Sequence, residues 1–168
     1  MSGKEHVAIG CAALPFALEI AANAGYSERE LVIIAGGIIV GSLIPDIDHP
    51  TSFLGKRLKL LSKIINKYFG GLRGITHDFL WVIVSLFVVL FTKTPYVGFF
   101  VGVSLHIVSD SVTVMGIPFL YFLNKENKYR ILPKFLCCKS GSFMNLLVTG
   151  LICYGLIKLG VIYKWKNT

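Results

Sequence analysis

Tyr96-Val-Gly-Phe-Phe-Val-Gly-Val-Ser-Leu-His-Ile-Val-Ser-Asp-Ser-Val-Thr-Val-Met-Gly-Ile-Pro-Phe-Leu-Tyr-Phe122 is the stretch on which the fold turns. It is longer than the about 20 apolar residues that a membrane-spanning helix requires. It also carries two groups that hydrocarbon does not tolerate alone, His106 and Asp110. Four residues apart, they share one helical face, and Thr113 continues it. An unpaired Asp at the bilayer centre costs roughly 2.5–3.5 kcal/mol even on lenient scales. The segment therefore reads as a membrane helix whose polar face needs partners from other helices. A structural hydrogen-bonded pair is the plainer alternative to a binding site.

Four further apolar segments flank it. Residues 7–22 are short for a span and contain Pro15; residues 31–45 are rich in small residues, and Pro45 is expected to end their helix. Residues 79–92 are almost wholly apolar, and residues 143–163 form a clean last span. Composition agrees. Hydrophobic residues make up 54% and charged residues 15% of the 168, and mean hydropathy is +0.69. Ordinary soluble domains hold roughly 45–50% and 25%. A disordered chain is excluded and a soluble globule disfavoured; the expected architecture is all-α, a single membrane-embedded domain over residues 1–168. The start, Met1 to His6, carries Glu5 and leads into no clean cleavage site, so the first segment is expected to be a retained helix. Cys11, Cys137, Cys138 and Cys153 show no Cys-x-x-Cys spacing and read as reduced thiols.

Seventeen Lys and Arg face nine acids, a net charge of +8. That balance suits an anionic lipid surface or a phosphate-bearing substrate, and no nucleic-acid partner is expected of so apolar a chain. The loops at 46–76 and 123–142, with Lys4, hold most of the basic residues, including Lys125, while Arg29, Lys93, Lys164 and Lys166 fall on the other side. The asymmetry predicts a multi-pass protein of the cell inner (cytoplasmic) membrane, amino terminus inside and carboxyl terminus outside. Within residues 56–69, Lys56, Lys59, Lys63 and Lys67 line one stripe of a helix opposite Leu61, Ile64, Ile65 and Tyr68. A basic amphipathic helix in the headgroup layer, binding anionic lipid through these four lysines, is the natural reading; a lysine-faced helix capping the bundle is the bland one.

All four His and all four Asp fall in four short stretches: His6; Asp46, Asp48 and His49 in Gly-Ser-Leu-Ile-Pro-Asp-Ile-Asp-His-Pro50; His77 and Asp78 in Arg73-Gly-Ile-Thr-His-Asp-Phe79; and His106 and Asp110. On the expected topology these converge at one membrane depth. Singly, a His at a helix start is often a cap, and Asp-x-Asp after proline is often a turn. Jointly, imidazole and carboxylate are donors for a divalent metal, with zinc first and manganese or iron as alternatives.

The same four motifs, ending in Ser-Leu-His-Ile-Val-Ser-Asp-Ser-Val-Thr-Val-Met-Gly-Ile-Pro-Phe-Leu120, resemble the LexA-regulated inner-membrane metal-dependent hydrolase family over roughly residues 3–150. More distantly, His-x-x-x-Asp at 106–110 resembles the zinc-dependent phospholipase C and single-strand nuclease superfamily. The resemblance implies Asp48 (or Asp46), His77, His106 and Asp110 as direct metal ligands, with His6 and His49 close by. Two positions depart from the pattern: Leu72 stands where relatives have a His before Arg73-Gly, and Gly141-Ser-Phe-Met-Asn145 lacks an early Glu. One metal, or a second held weakly, suits this chain better than three.

These expectations combine into a membrane hydrolase acting on a phosphoester of a phospholipid or lipid-linked phosphate. Asp46 or Asp78 would accept the proton of the attacking water, and Arg73 would hold phosphate. The alternatives are a non-catalytic membrane organiser with a structural metal site and a metal or proton transporter.

Overall fold

The computed structural model describes residues 1–71, 73–124, 128–134, 137–140 and 142–167. Lys125 of the basic loop, and Leu72 and Gly141 of the two departures noted above, lie outside them.

Among the described residues there are seven α-helices: α1 (Gly3–Asn23), α2 (Glu28–Gly41), α3 (Phe53–Arg57), α4 (Lys59–Tyr68), α5 (Leu80–Phe91), α6 (Val97–Ser111) and α7 (Phe143–Asn167). Ser2 and Ser27 open α1 and α2, and Glu5 and Glu30, three residues on, reach back to the cap backbone in capping boxes. By length and composition, Gly3–Asn23, Glu28–Asp48 and Phe143–Lys164 can each cross a membrane. The apolar helices α5 and α6 are shorter. At 1.5 Å per residue they reach about 18 and 22 Å, less than the ~30 Å hydrocarbon core.

The five apolar helices lie side by side in the order α7, α1, α2, α6, α5. The α2–α6 seam brings backbone against backbone, because two pairs of glycines spaced four apart meet there. A Cβ on Gly41 would stand 2.1 Å from the Phe99 carbonyl oxygen; on Gly98, 2.1 Å from that of Ile34; on Gly102, 2.2 Å from that of Ile38. No side chain fits, so backbone packs on backbone, as small-xxx-small pairs permit in membranes. Away from the site, Ala21, Ile34, Ile38 and Val97 close the core between α1, α2 and α6 with apolar side chains alone.

Three expectations about elements need correction. The stretch 96–122 is not one helix: α6 stops at Ser111, the chain turns, and Ile117–Pro118 pairs antiparallel with Lys128–Tyr129. The Thr113 backbone N–H and hydroxyl both donate to the Asp110 carbonyl and close the last turn, and Gly116 at φ +67° and Pro118 keep the chain from resuming the helix. Next, α2 ends at Gly41 rather than at Pro45, which instead opens a 3₁₀ turn, Ile44–Asp48; the Ser42 hydroxyl donates to the carbonyls of Ile38 and Ile39. Finally, the helix expected over 56–69 is two helices broken at Leu58 (φ −109°, ψ 47°), which leaves Lys56 on α3 and Lys59, Lys63 and Lys67 on α4. On α4, Leu60, Leu61, Ile64 and Tyr68 are exposed and Ser62 alone is buried, a surface helix consistent with an interfacial position.

Candidate metal centre

The four polar motifs do converge. His6 comes from the first turns of α1, Asp46 and Asp48 from the 3₁₀ turn after α2, His77 from a second 3₁₀ turn (Ile75–His77) before α5, and His106 and Asp110 from the last turns of α6. His6, Asp48, His77, His106 and Asp110 are each at most 1% exposed.

The hydrogen-bond partners set the ring orientations. His106 Nδ1 lies 2.7 Å from the Ser42 carbonyl oxygen, which can only accept, so Nδ1 carries the proton and Nε2 presents its lone pair inward. His77 Nδ1 faces Asp48 Oδ2 at 3.2 Å, and that oxygen also accepts from the Thr76 hydroxyl (2.6 Å) and the Arg73 backbone N–H (3.0 Å). His77 Nε2 then meets His106 Nε2 at 3.1 Å, with Asp46 Oδ1 3.8 and 3.7 Å from the two nitrogens. The His6 ring stacks on His106 with centroids 3.6 Å apart. Its Nε2, 3.4 Å from Asp110 Oδ1, is buried without a hydrogen bond among the described residues, while Nδ1 contacts the Ser109 hydroxyl.

Two imidazole nitrogens converging on a carboxylate need a cation between them, either a proton or a metal. Burial by itself lowers the His77 pKa, but hydrogen bonds to Asp46 and Asp48 and the nearby Asp110 outweigh it and raise the group to about 9. The proton shared by the two rings is therefore carried by His77.

Two triads have ligand atoms close enough to share an ion: His6, His106 and Asp110; and Asp46, His77 and His106. The residues fit a divalent cation, since three imidazoles and two carboxylates are donors that zinc, manganese and iron accept, and His6 Nε2 is an orphan buried donor. Both triads include His106, and with Nδ1 spent on Ser42 its single lone pair serves one ion.

The structure places the expected site residues as follows. Asp46, and not Asp48, shares a triad with His77 and His106, whereas Asp48 Oδ2 faces Nδ1 on the other edge of the His77 ring, as carboxylates behind metal-binding histidines do. Residues two apart in a 3₁₀ turn diverge by about 120°, so the two carboxylates address opposite sides of His77. His49 stays outside the cluster; its Nδ1 accepts from the Thr51 backbone N–H at 3.2 Å and lies 2.9 Å from the Thr51 hydroxyl. Asp78 is not free to act as a base: it accepts backbone N–H groups from Leu80 (2.9 Å), Leu120 (3.1 Å) and Tyr121 (2.6 Å) and ties the start of α5 to the turn after α6. Arg73 is buried and points inward, donating to Asp110 Oδ2 (2.7 Å), the Thr113 hydroxyl (2.6 Å) and the Gly116 carbonyl (3.1 Å). Its backbone is left-handed at φ 57°, a strained conformation for a non-glycine residue that this many anchors hold. The Met1 amino group also bonds Asp110. The sequence reading missed Ser42, Thr76 and Ser109, whose roles lie in a carbonyl and two hydroxyls with no spacing signature.

Comparison with known proteins agrees with a membrane architecture. The family model described as YdjM inner membrane protein matches residues 1–167. A Bacillus subtilis (strain 168) relative, "Uncharacterized protein YvsG", is 33% identical over 152 residues, covering 88% of this chain and 87% of the relative. The Escherichia coli (strain K12) relative, "Inner membrane protein YdjM", is 34% identical over 130 residues, 72% of this chain and 65% of its own length. No solved structure matches. The matched region holds all four histidines and all four aspartates, and the chain belongs to the YdjM inner membrane protein family.

Proposed function

We propose that this protein is a metal-dependent hydrolase of a membrane phosphoester, a phospholipid or lipid-linked phosphate, with its centre at the cytoplasmic face. The observation that carries the reading is the convergence of the His77 and His106 Nε2 atoms on Asp46, the one residue of the cluster that is incompletely buried. The basic residues at the same end of the bundle support the cytoplasmic assignment.

His77, His106 and Asp46, with His6 and Asp110 beside them, would hold the ion, zinc by preference. A divalent cation held there would supply Lewis acidity, lowering the pKa of a water toward about 7 and drawing charge from a phosphoryl oxygen. Asp48 keeps the His77 ring turned inward, and the Ser42 carbonyl does the same for His106. Asp46 directs Oδ1 to the histidines and Oδ2 toward Gly3, on the open side, so Oδ2 is placed to accept the proton of the attacking water. Arg73 neutralises Asp110 from behind rather than gripping substrate. The lysines of α3 and α4 attract anionic headgroups, each with roughly 1 kcal/mol near the surface.

A second reading, a non-catalytic organiser with a structural metal, is favoured by the full occupation of Asp78 and Arg73 in backbone and ion-pair contacts. Transport is disfavoured by the apolar Ala21–Ile34–Ile38–Val97 cluster, which offers an ion no polar step.

The test is metal analysis of purified protein, followed by assay of phosphate or headgroup release from a total lipid extract. His106→Ala is expected to lose the metal and turnover together; Asp46→Asn, to lose turnover. Metal at wild-type stoichiometry in His106→Ala overturns the site. Metal present without hydrolysis of any lipid fraction selects the organiser.

A further inference from the structure

We infer that the cavity between α1, the 3₁₀ turn after α2 and α3 is the binding site for one anionic glycerophospholipid, headgroup toward Asp46 and acyl chain along α2. The inference rests on the hydrolase reading only for its choice of substrate end. The cavity holds about 910 Å³, within the range of small-molecule sites.

Three features of its lining define the occupant. Asp46 lies at its inner wall, so it is the opening through which the otherwise buried centre is reached among the described residues. Lys4, Lys56 and Arg57 are exposed at its rim, three cations around one entrance. Arg57 is held there by its ring contact with Phe53, 3.8 Å to the centroid, and its bond to the Phe53 carbonyl at 3.1 Å. Val7 from α1, and Ile39 and Leu43 from α2 and its C-terminal turn, form an apolar wall, and Ser2, His49, Thr51 and Ser52 also line the cavity. That wall runs on into the exposed apolar surface of α2 at Val40 and Val32. A soluble phosphate has no use for such a wall. An anionic headgroup carrying an acyl chain satisfies both the rim and the wall, and it is the ligand that the bilayer supplies at this depth. The break at Leu58 matters here, since it detaches Lys56 from the α4 stripe and leaves it lining the cavity.

The experiment uses the whole chain, zinc-loaded, in dodecyl maltoside micelles, with bound ligand counted by native mass spectrometry. The titrants are dihexanoyl phosphatidylglycerol, zwitterionic dihexanoyl phosphatidylcholine and inorganic phosphate. One phosphatidylglycerol is expected to be retained about tenfold more tightly than phosphatidylcholine, with inorganic phosphate weaker than either. Changing Lys4, Lys56 and Arg57 together to Gln should erase the preference between the two lipids. Leu43→Trp, which fills the cavity, should weaken both lipids by about tenfold with zinc content unchanged. Ile39→Phe fills it from the other wall, should Leu43→Trp disturb zinc. Inorganic phosphate binding as tightly as the lipid, equal retention of the two lipids by the wild type, or undiminished lipid binding in a zinc-replete filled variant overturns the inference. Turnover is not read, so failure of the hydrolase reading leaves this result standing, and failure here leaves metal and hydrolysis data untouched.

Discussion

Replacing Gly102 by alanine is expected to weaken metal binding although the residue touches no metal ligand directly. Its Cβ would stand 2.2 Å from the Ile38 carbonyl oxygen, 2.8 Å from the Ser42 nitrogen and 3.0 Å from the Gly41 carbonyl carbon, all backbone atoms of the facing strip of α2. Ordinary Cβ contacts begin at 3.4 Å, so α2 and α6 must part by about 1 Å at this level. One turn further along the seam, His106 Nδ1 donates to the Ser42 carbonyl at 2.7 Å. The same displacement carries that bond past the about 3.5 Å limit of a hydrogen bond. His106 then loses the contact that selects its tautomer and aims Nε2 at His77. Loss of such an orienting partner typically costs 10- to 100-fold in metal affinity, and overpacking of this kind destabilises by about 1–3 kcal/mol. Zinc titration of metal-stripped protein in micelles, beside thermal unfolding of the same samples, measures both. Gly36→Ala is the control: a Cβ there meets nothing within 4 Å, so neither quantity should worsen. Wild-type zinc affinity in a folded Gly102→Ala protein would refute the claim that the glycine seam positions His106.

Further outcomes follow from the site. Asp78→Asn is expected to destabilise the fold by about 1–3 kcal/mol in thermal unfolding while metal stays bound, because an amide cannot accept at both of the oxygens that Leu80, Leu120 and Tyr121 use; unchanged stability with abolished hydrolysis would restore Asp78 as the base. His77 titrates at about 9 against 6.5 unfolded. Its charge therefore stabilises the metal-free protein fully below pH 6.5, and that contribution is lost as pH rises through 9. Metal-free protein should unfold at progressively lower temperature across that window. A flat profile would mean that the proton is not on His77. Because metal must displace that proton, zinc affinity measured below pH 9 should rise about tenfold per pH unit. Five crossings would put the termini on opposite sides, so terminal reporter fusions are expected to read amino terminus in and carboxyl terminus out; two cytoplasmic termini would mean that α5 or α6 does not cross.

The apolar helices and the gathering of His and Asp were legible in the sequence because both are local properties. A hydrocarbon solvent imposes long apolar runs one segment at a time, and it confines ionisable groups to the few places where they find partners. Residues 143–163 read as a span for that reason, and His106 and Asp110 share a face by helical period alone. What each polar residue does is settled by neighbours distant in sequence. Asp46 and Asp48 differ in role because the 3₁₀ turn sends their carboxylates to opposite sides of His77, and nothing in Pro-Asp-Ile-Asp-His distinguishes them. Asp78 and Arg73 read as free chemistry, yet they are spent on the amides of Leu120 and Tyr121 and on the carboxylate of Asp110, contacts that exist only once α6 has turned back at Gly116. The glycines at 37, 41, 98 and 102 read simply as small residues until α2 and α6 are brought together, when the absence of four side chains sets the helix separation and, through the Ser42 carbonyl, the direction in which His106 points.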